Sequence, residues 1–340
     1  MTLLAPDPLI ANGLPRLGQF SDSLSVINHR DFHLETPFGK PASRLDQWLG
    51  FKQFQYFGGM SDSLVFGCAL AHLRHMGMAF VYVVDMKTGE LFSRSYRSPL
   101  GLGLSLAENP VEGLSRFRLP GVDIQMGYEK HPRQKTLRVT LGDMLEIDAA
   151  MPESGFEPMS ICTRTAYTGW VYANKTAGLD LHGQLRFNGS THDLARLGAM
   201  GHHDYSCGHM RRETFWNWAC LSGMSTEGHR LGLNLSCGVN ETSFTENCLW
   251  LDGKLIKVNL TRFDFDQKNL MAPWHVSSDD GLVDLCFTPL GMHRETMDLK
   301  LLASNFKQLF GRFDGVLHVK GADIVVKGLS GFVEDQYVKW

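Results

Sequence analysis

Residues 136–149 read T-L-R-V-T-L-G-D-M-L-E-I-D-A, and this stretch decides the fold class. Leu137, Val139 and Leu141 alternate with Arg138 and Thr140; Leu145 and Ile147 alternate with Glu146 and Asp148. A period of two places apolar side chains on one face of an extended strand and polar ones on the other. Gly142-Asp143 between the runs reads as a two-residue hairpin turn with glycine at its first position. The pattern predicts an antiparallel pair with one face on a core and one in water.

The same period recurs outward in both directions. Strands are predicted over Ser63–Leu73, Ala79–Asp85, Gly169–Ala173, Leu179–Phe187, Phe215–Leu221 and Arg230–Cys237. Leu255–Phe263, Leu282–Phe287, Gly315–Val319 and Ile324–Leu329 continue the series. Helical spacing is scarce: His192–Met200 suits one or two turns, and Met297–Leu309 is a weak second candidate. Many short strands at regular spacing predict an all-β protein of antiparallel barrels or sandwiches with few short helices. The 35 glycines suit turns, bulges and bent strands. The polar stretch Phe187–His203 separates two groups of strands. It suggests an N-terminal extension (1–19), a first β domain (20–200) and a second (201–340). Gly183-Gln-Leu-Arg-Phe187 and Gly315-Val-Leu-His-Val319 repeat one short pattern in the two halves.

At 340 residues the chain can bury a large core. Its apolar content of 43% and charged content of 20% are ordinary for a soluble protein. A net charge of −3 supplies no basic field for wrapping nucleic acid. The opening MTLLAPDPLIANG has no basic segment ahead of an apolar one, so no signal peptide is predicted. No apolar run reaches the roughly 18 residues of a bilayer span. No integral membrane segment is therefore expected, and peripheral contact with a membrane surface stays open. Seven cysteines, an odd number without a CxxC pair, suggest reduced thiols and a cytoplasmic setting.

Chemistry concentrates at residues 201–218, G-H-H-D-Y-S-C-G-H-M-R-R-E-T-F-W-N-W. In an extended strand Trp216 and Trp218 share one face and Asn217 takes the other. The pair reads either as a core stripe between sheets or as the aromatic wall of a ligand pocket. Asp204 beside such rings suits an acid or base with a raised pKa, or else a turn residue binding backbone amides. His202 and His203 would point to opposite faces of a strand and, with His209, lack metal-ligand spacing; no metal is predicted. A second concentration is Gly331-Phe-Val-Glu-Asp-Gln-Tyr-Val-Lys-Trp340. Glu334 or Asp335 is expected to meet Arg211 or Arg212 if the strands are neighbours, as a functional pair or as a fastening of the barrel. No GxSxG, P-loop or GxGxxG motif is present.

These blocks resemble a large bacterial family classified as a domain of unknown function. The likeness rests on Leu45–Phe57, Asp204–Gly208, Arg212–Ala219, Phe310–Gly315 and Gly331–Trp340, in order over about residues 12 to 340. That family is distantly similar to the lipocalin-like group of carotenoid hydratases (hydroxyneurosporene synthase), attachment factors and fungal pericyclase-type cyclases. The resemblance implies two antiparallel lipocalin-like (calycin) β barrels or sandwiches in tandem, with a ligand inside or between them. It further implies cofactor-free chemistry on isoprenoid- or polyketide-like molecules.

The expected function is thus a cofactor-independent hydratase, isomerase or cyclase acting on an apolar unsaturated molecule. Asp204 and Glu334 would move protons. Trp216, Asn217, Trp218, Arg211, Arg212 and Asp335 would hold the ligand. The alternative is a non-catalytic lipid- or isoprenoid-binding protein on the same fold.

Overall fold

Three large sheets, antiparallel except for one short edge pair, account for most of the chain, whose computed structural model describes residues 2–239, 242, 244–300, 302–319 and 321–340. The opening hairpin lies in a seven-stranded sheet. Arg133–Leu141 pairs with Leu145–Pro152 through Leu141 and Leu145. Leu137, Val139, Leu145 and Ile147 are buried, while Arg138, Thr140, Glu146 and Asp148 face water. The turn differs from its prediction. Leu141 and Leu145 enclose three residues, Gly142 (φ 52°) to Met144, because Met144 donates to the Leu141 carbonyl instead of joining the ladder.

The apolar face of this sheet covers a nine-stranded one that includes Phe51–Met60, Leu64–His72, Met76–Asp85, Gly169–Asp180 and Met200–His209. Phe57, Cys68 and Val81 face Ile124, Val139 and Ile147 across one continuous core. The segment expected as an N-terminal extension docks on the edge of this sheet: Gly18–Phe20 pairs with the Met159–Thr165 strand, and Leu9 and Ile10 are buried near Trp170 and Tyr172.

The third sheet also has nine strands and contains Glu213–Met224, Arg230–Cys237, Val283–Asp298, Ala303–Val319 and Ala322–Lys339. It curls into a half barrel. One edge strand, Thr261–Asp264, reaches back to Arg230–Cys237: Thr261 Oγ1 donates to the Ser236 carbonyl at 2.8 Å. Leu221, Leu233, Trp274, Phe287 and Phe313 fill the concave side. The molecule is therefore all-β, with tandem barrel- or sandwich-like units.

Of the two helical expectations, the first is met at its shortest and the second fails. His192–Met200 forms a single turn, with Leu197 bonded back to Asp193 and the chain stopped at Gly198 (φ 60°). Met297–Leu309 is a β-hairpin in which Asp298 pairs with Ala303. The one α-helix among the described residues, Arg44–Gly50, is capped by Ser43, whose hydroxyl accepts from the Asp46 amide.

The 201–209 run is not the start of the second unit. Met200–His209 lies between Gly169–Asp180 and Phe51–Met60 inside the first sheet. The expected 200/201 division thus falls within that pairing, and we propose that the units meet at residues 210–212. The convex face of the half barrel then packs on the first sheet. Trp218, Phe310 and Phe332 meet Tyr56, Tyr82 and His202 there, with ring centroids 4.8 to 6.2 Å apart.

Candidate functional site

Strand register brings the chemistry together at this junction. On the first sheet Tyr56 pairs with Asp204, and Asp204 with Lys175, so the three form a row facing the second unit. On the half barrel Trp218 pairs with Glu334, and Glu334 with Gln308, a second row. Between the rows runs a cleft of about 220 Å³. Its walls are mainly apolar and include Phe54, Met76, Met78, Phe80, Phe306 and Val338.

Lys175, Asp204, Glu246 and Glu334, all buried, border this space together. Lys175 donates to Glu246 at 2.7 Å and lies 3.1 Å from Asp204. Its ammonium also sits 4.5 Å from the Trp218 ring centroid. Trp218 is fixed from behind: its indole N–H donates to Asn234 at 2.7 Å, and Asn234 donates to the Glu246 carbonyl. Ser206 donates to Asp204 at 2.8 Å. Glu334 accepts from the Trp216 indole at 2.9 Å and from Gln308 at 2.8 Å.

Burial and pairing divide the protons unequally. Burial raises the Asp204 pKa above its ordinary range, and Lys175 restrains the rise. Burial works against the charge on Lys175, but Asp204 and Glu246 outweigh it and hold the ammonium. Glu334 has no cation in direct contact among the described residues. Burial pushes its pKa up to about 7, an effect that the Trp216 bond only partly offsets. A carboxyl group that holds its proton up to about pH 7 and a carboxyl group paired with an ammonium thus share one apolar cleft. That combination suits proton delivery from one group and removal by the other.

The sequence-predicted residues separate into two sets. Asp204, Trp216, Trp218 and Glu334 line the cleft; Asn217, Arg211, Arg212 and Asp335 do not. Asn217, on the opposite face of its strand, donates to the Glu334 backbone carbonyl. Arg211 binds the carbonyls of Gly238 and Val239, and Arg212 is exposed. Asp335 pairs with Lys307 at 2.6 Å, so neither carboxylate of the last strand meets the arginine pair. His202 and His203 do face opposite ways, toward Tyr56 and Tyr128, each at 3.0 Å. Among the described residues no group of three or more His, Cys, Asp or Glu could hold a metal.

Lys175, Glu246 and Gln308 escaped the reading of the sequence. Lys175 had a signal: it is the one charge in W-V-Y-A-N-K-T-A-G-L, an apolar run that buries a charge only with partners.

The fold and the cleft define a class: all-β proteins of tandem barrel-like units with a candidate site at the junction. Within it, the chain belongs to the family described as domain of unknown function DUF2804, whose model matches residues 30–340. It is similar in fold to CghA, crystallised with Sch210972, at a TM-score of 0.57 and 11% identity. That match covers 99% of this chain and 97% of the other. Kievitone hydratase from Nectria haematococca is similar at a TM-score of 0.48 and 9% identity, over 84% of this chain and 88% of the other. No curated protein sequence matches the chain. Among the described residues no helix is long and apolar enough to cross a membrane.

Proposed function

We propose that the junction cleft binds an apolar, unsaturated, isoprenoid- or lipid-like molecule and acts on it as a cofactor-independent hydratase, isomerase or cyclase. One observation carries this reading: Glu334, protonated up to about pH 7, faces the same apolar-walled cleft as the Lys175-paired Asp204. Glu334 gives its proton to an alkene carbon, and positive charge develops on the neighbouring carbon. Trp216 shields that charge with its ring; one face of Trp218 already holds the protein's own ammonium. Asp204 then takes a proton from an adjacent carbon, which isomerises the alkene, or from an attacking water, which hydrates it. In a cyclisation an internal alkene takes the place of the water before the proton is lost. The odd cysteine count without a CxxC pair supports a cytoplasmic setting.

The test begins with extraction of the purified protein and mass spectrometry of what co-purifies, together with titration by retinol, read through quenching of the cleft tryptophans. With a substrate in hand, Asp204→Asn abolishes turnover and leaves binding within a few-fold of wild type. Lys175 keeps Glu246 in that variant, so no buried charge is stranded. Unchanged turnover in both Asp204→Asn and Glu334→Gln would show that the acid and base are wrongly assigned; a bound ligand that is never turned over would leave the non-catalytic binding protein as the better reading. Absence of any apolar ligand, native or added, defeats both.

A further inference from the structure

The cleft extends beyond the carboxyl groups to a second buried lysine, Lys52. Its side chain is only 6% exposed. The ammonium donates to the backbone carbonyls of Leu49 and, at 3.3 Å, Leu73. These satisfy two of its three N–H donors and supply no countercharge. Among the described residues no carboxylate lies within ion-pair distance of Lys52 or of the neighbouring Arg74. Burial first, then the charges of Arg74 and Arg212, lower the Lys52 pKa to about 8. The other two buried lysines among the described residues are paired, Lys135 with Glu153 and Lys175 with Asp204 and Glu246. Lys52 instead lines a mainly apolar space with no carboxylate partner, a costly arrangement unless an anion completes it.

We propose that the ligand of this cleft is an amphipathic carboxylate, its head paired with Lys52 and its apolar chain running toward Asp204 and Glu334. This rests on the reading of the cleft as the ligand site. Lys52 pairs across the sheet with Gly208, and Tyr56 with Asp204. The two rows are four residues apart on one face, about 13 Å along the strand. A carboxylate held at Lys52 therefore places a carbon well down its chain, not one beside the head, at the acid and base. Arg74 and Arg212, whose charges reach Lys52, do not line the cleft, and a single ammonium suits a single carboxylate better than a phosphoryl group with three acceptor oxygens.

Cis-parinaric acid and its methyl ester test this directly, since both fluoresce when bound and differ only in the head. Wild type binds the acid about tenfold to a hundredfold tighter than the ester, the range of one buried charge-assisted bond. Lys52→Met removes that preference while ester binding persists, and Lys52→Arg restores part of it. Equal affinity of wild type for acid and ester overturns the proposal without touching the cleft reading, and that comparison needs no variant. Retention of the preference in Lys52→Met also overturns it. Binding of neither probe removes the cleft reading itself.

Discussion

Glu334 and Asp204 face one cleft yet hold their protons differently, and the difference has a measurable sign. Burial lifts Glu334 from its ordinary 4.5 to about 7, so the folded protein keeps a proton that the unfolded chain releases in that window. The associated stability is fully present below pH 4.5 and is lost as pH rises through about 7. It amounts to at most about 3 kcal/mol. Urea denaturation should show wild type falling behind Glu334→Gln by most of that amount between pH 5 and 8. Two curves that stay parallel over this range would mean that Glu334 is already ionised at pH 5. The same titration dictates the activity profile. Turnover that needs the neutral acid declines above about pH 7.

Among the elements, Phe51–Met60 and Leu64–His72 are shaped by what they leave out. Glycine weakens a strand unless another group needs its space. A Cβ at Gly67 would stand 2.5 Å from both the Tyr56 and Tyr82 hydroxyls, and one at Gly58 would meet His202. Those hydroxyls bond each other at 2.6 Å, fully buried under the half barrel. Gly67→Ala should cost about 1–3 kcal/mol through overpacking. Combined with Tyr56→Phe, its cost should be less than the sum of the two single changes, because both act on one contact. Strictly additive losses in denaturation would show that the sites are independent. Elements also explain what could be read from the sequence. The seven-stranded sheet was legible because one face is wet and the period of two is visible, as in Leu137–Asp148. Met200–His209 is buried on both faces, loses the period, and so passed for a boundary. Trp216 and Trp218 stood out by type, whereas Lys175 gained its role only through a register that pairs it with Asp204, 29 positions on. Arg211 and Arg212 misled because nearness in sequence to the aromatic strand is not nearness to its cleft-facing side.

At the scale of the whole molecule, neither unit makes the cleft alone. Phe54 and Asp204 belong to one wall, Trp216 and Glu334 to the other. Saturation with retinol at a hundred times its dissociation constant should add about 2.7 kcal/mol to the unfolding free energy. Hydrogen exchange should slow on both sides, in Phe51–Met60 and in Ala322–Lys339. Protection confined to one unit would show that the ligand sits elsewhere. The half barrel nonetheless buries a core of its own, and the first unit's core takes in Trp218, Phe310 and Phe332 of the half barrel's convex face; Met76, Met78, Met297 and Phe306, which line the cleft, belong to neither. Methionine adapts its shape more readily than any branched side chain. Substitution at these positions alters the outline of the space without reopening what folds the protein. Descendants of this chain are thereby free to exchange one ligand for another over evolutionary time while the scaffold stays constant, and sequence divergence should concentrate on that seam.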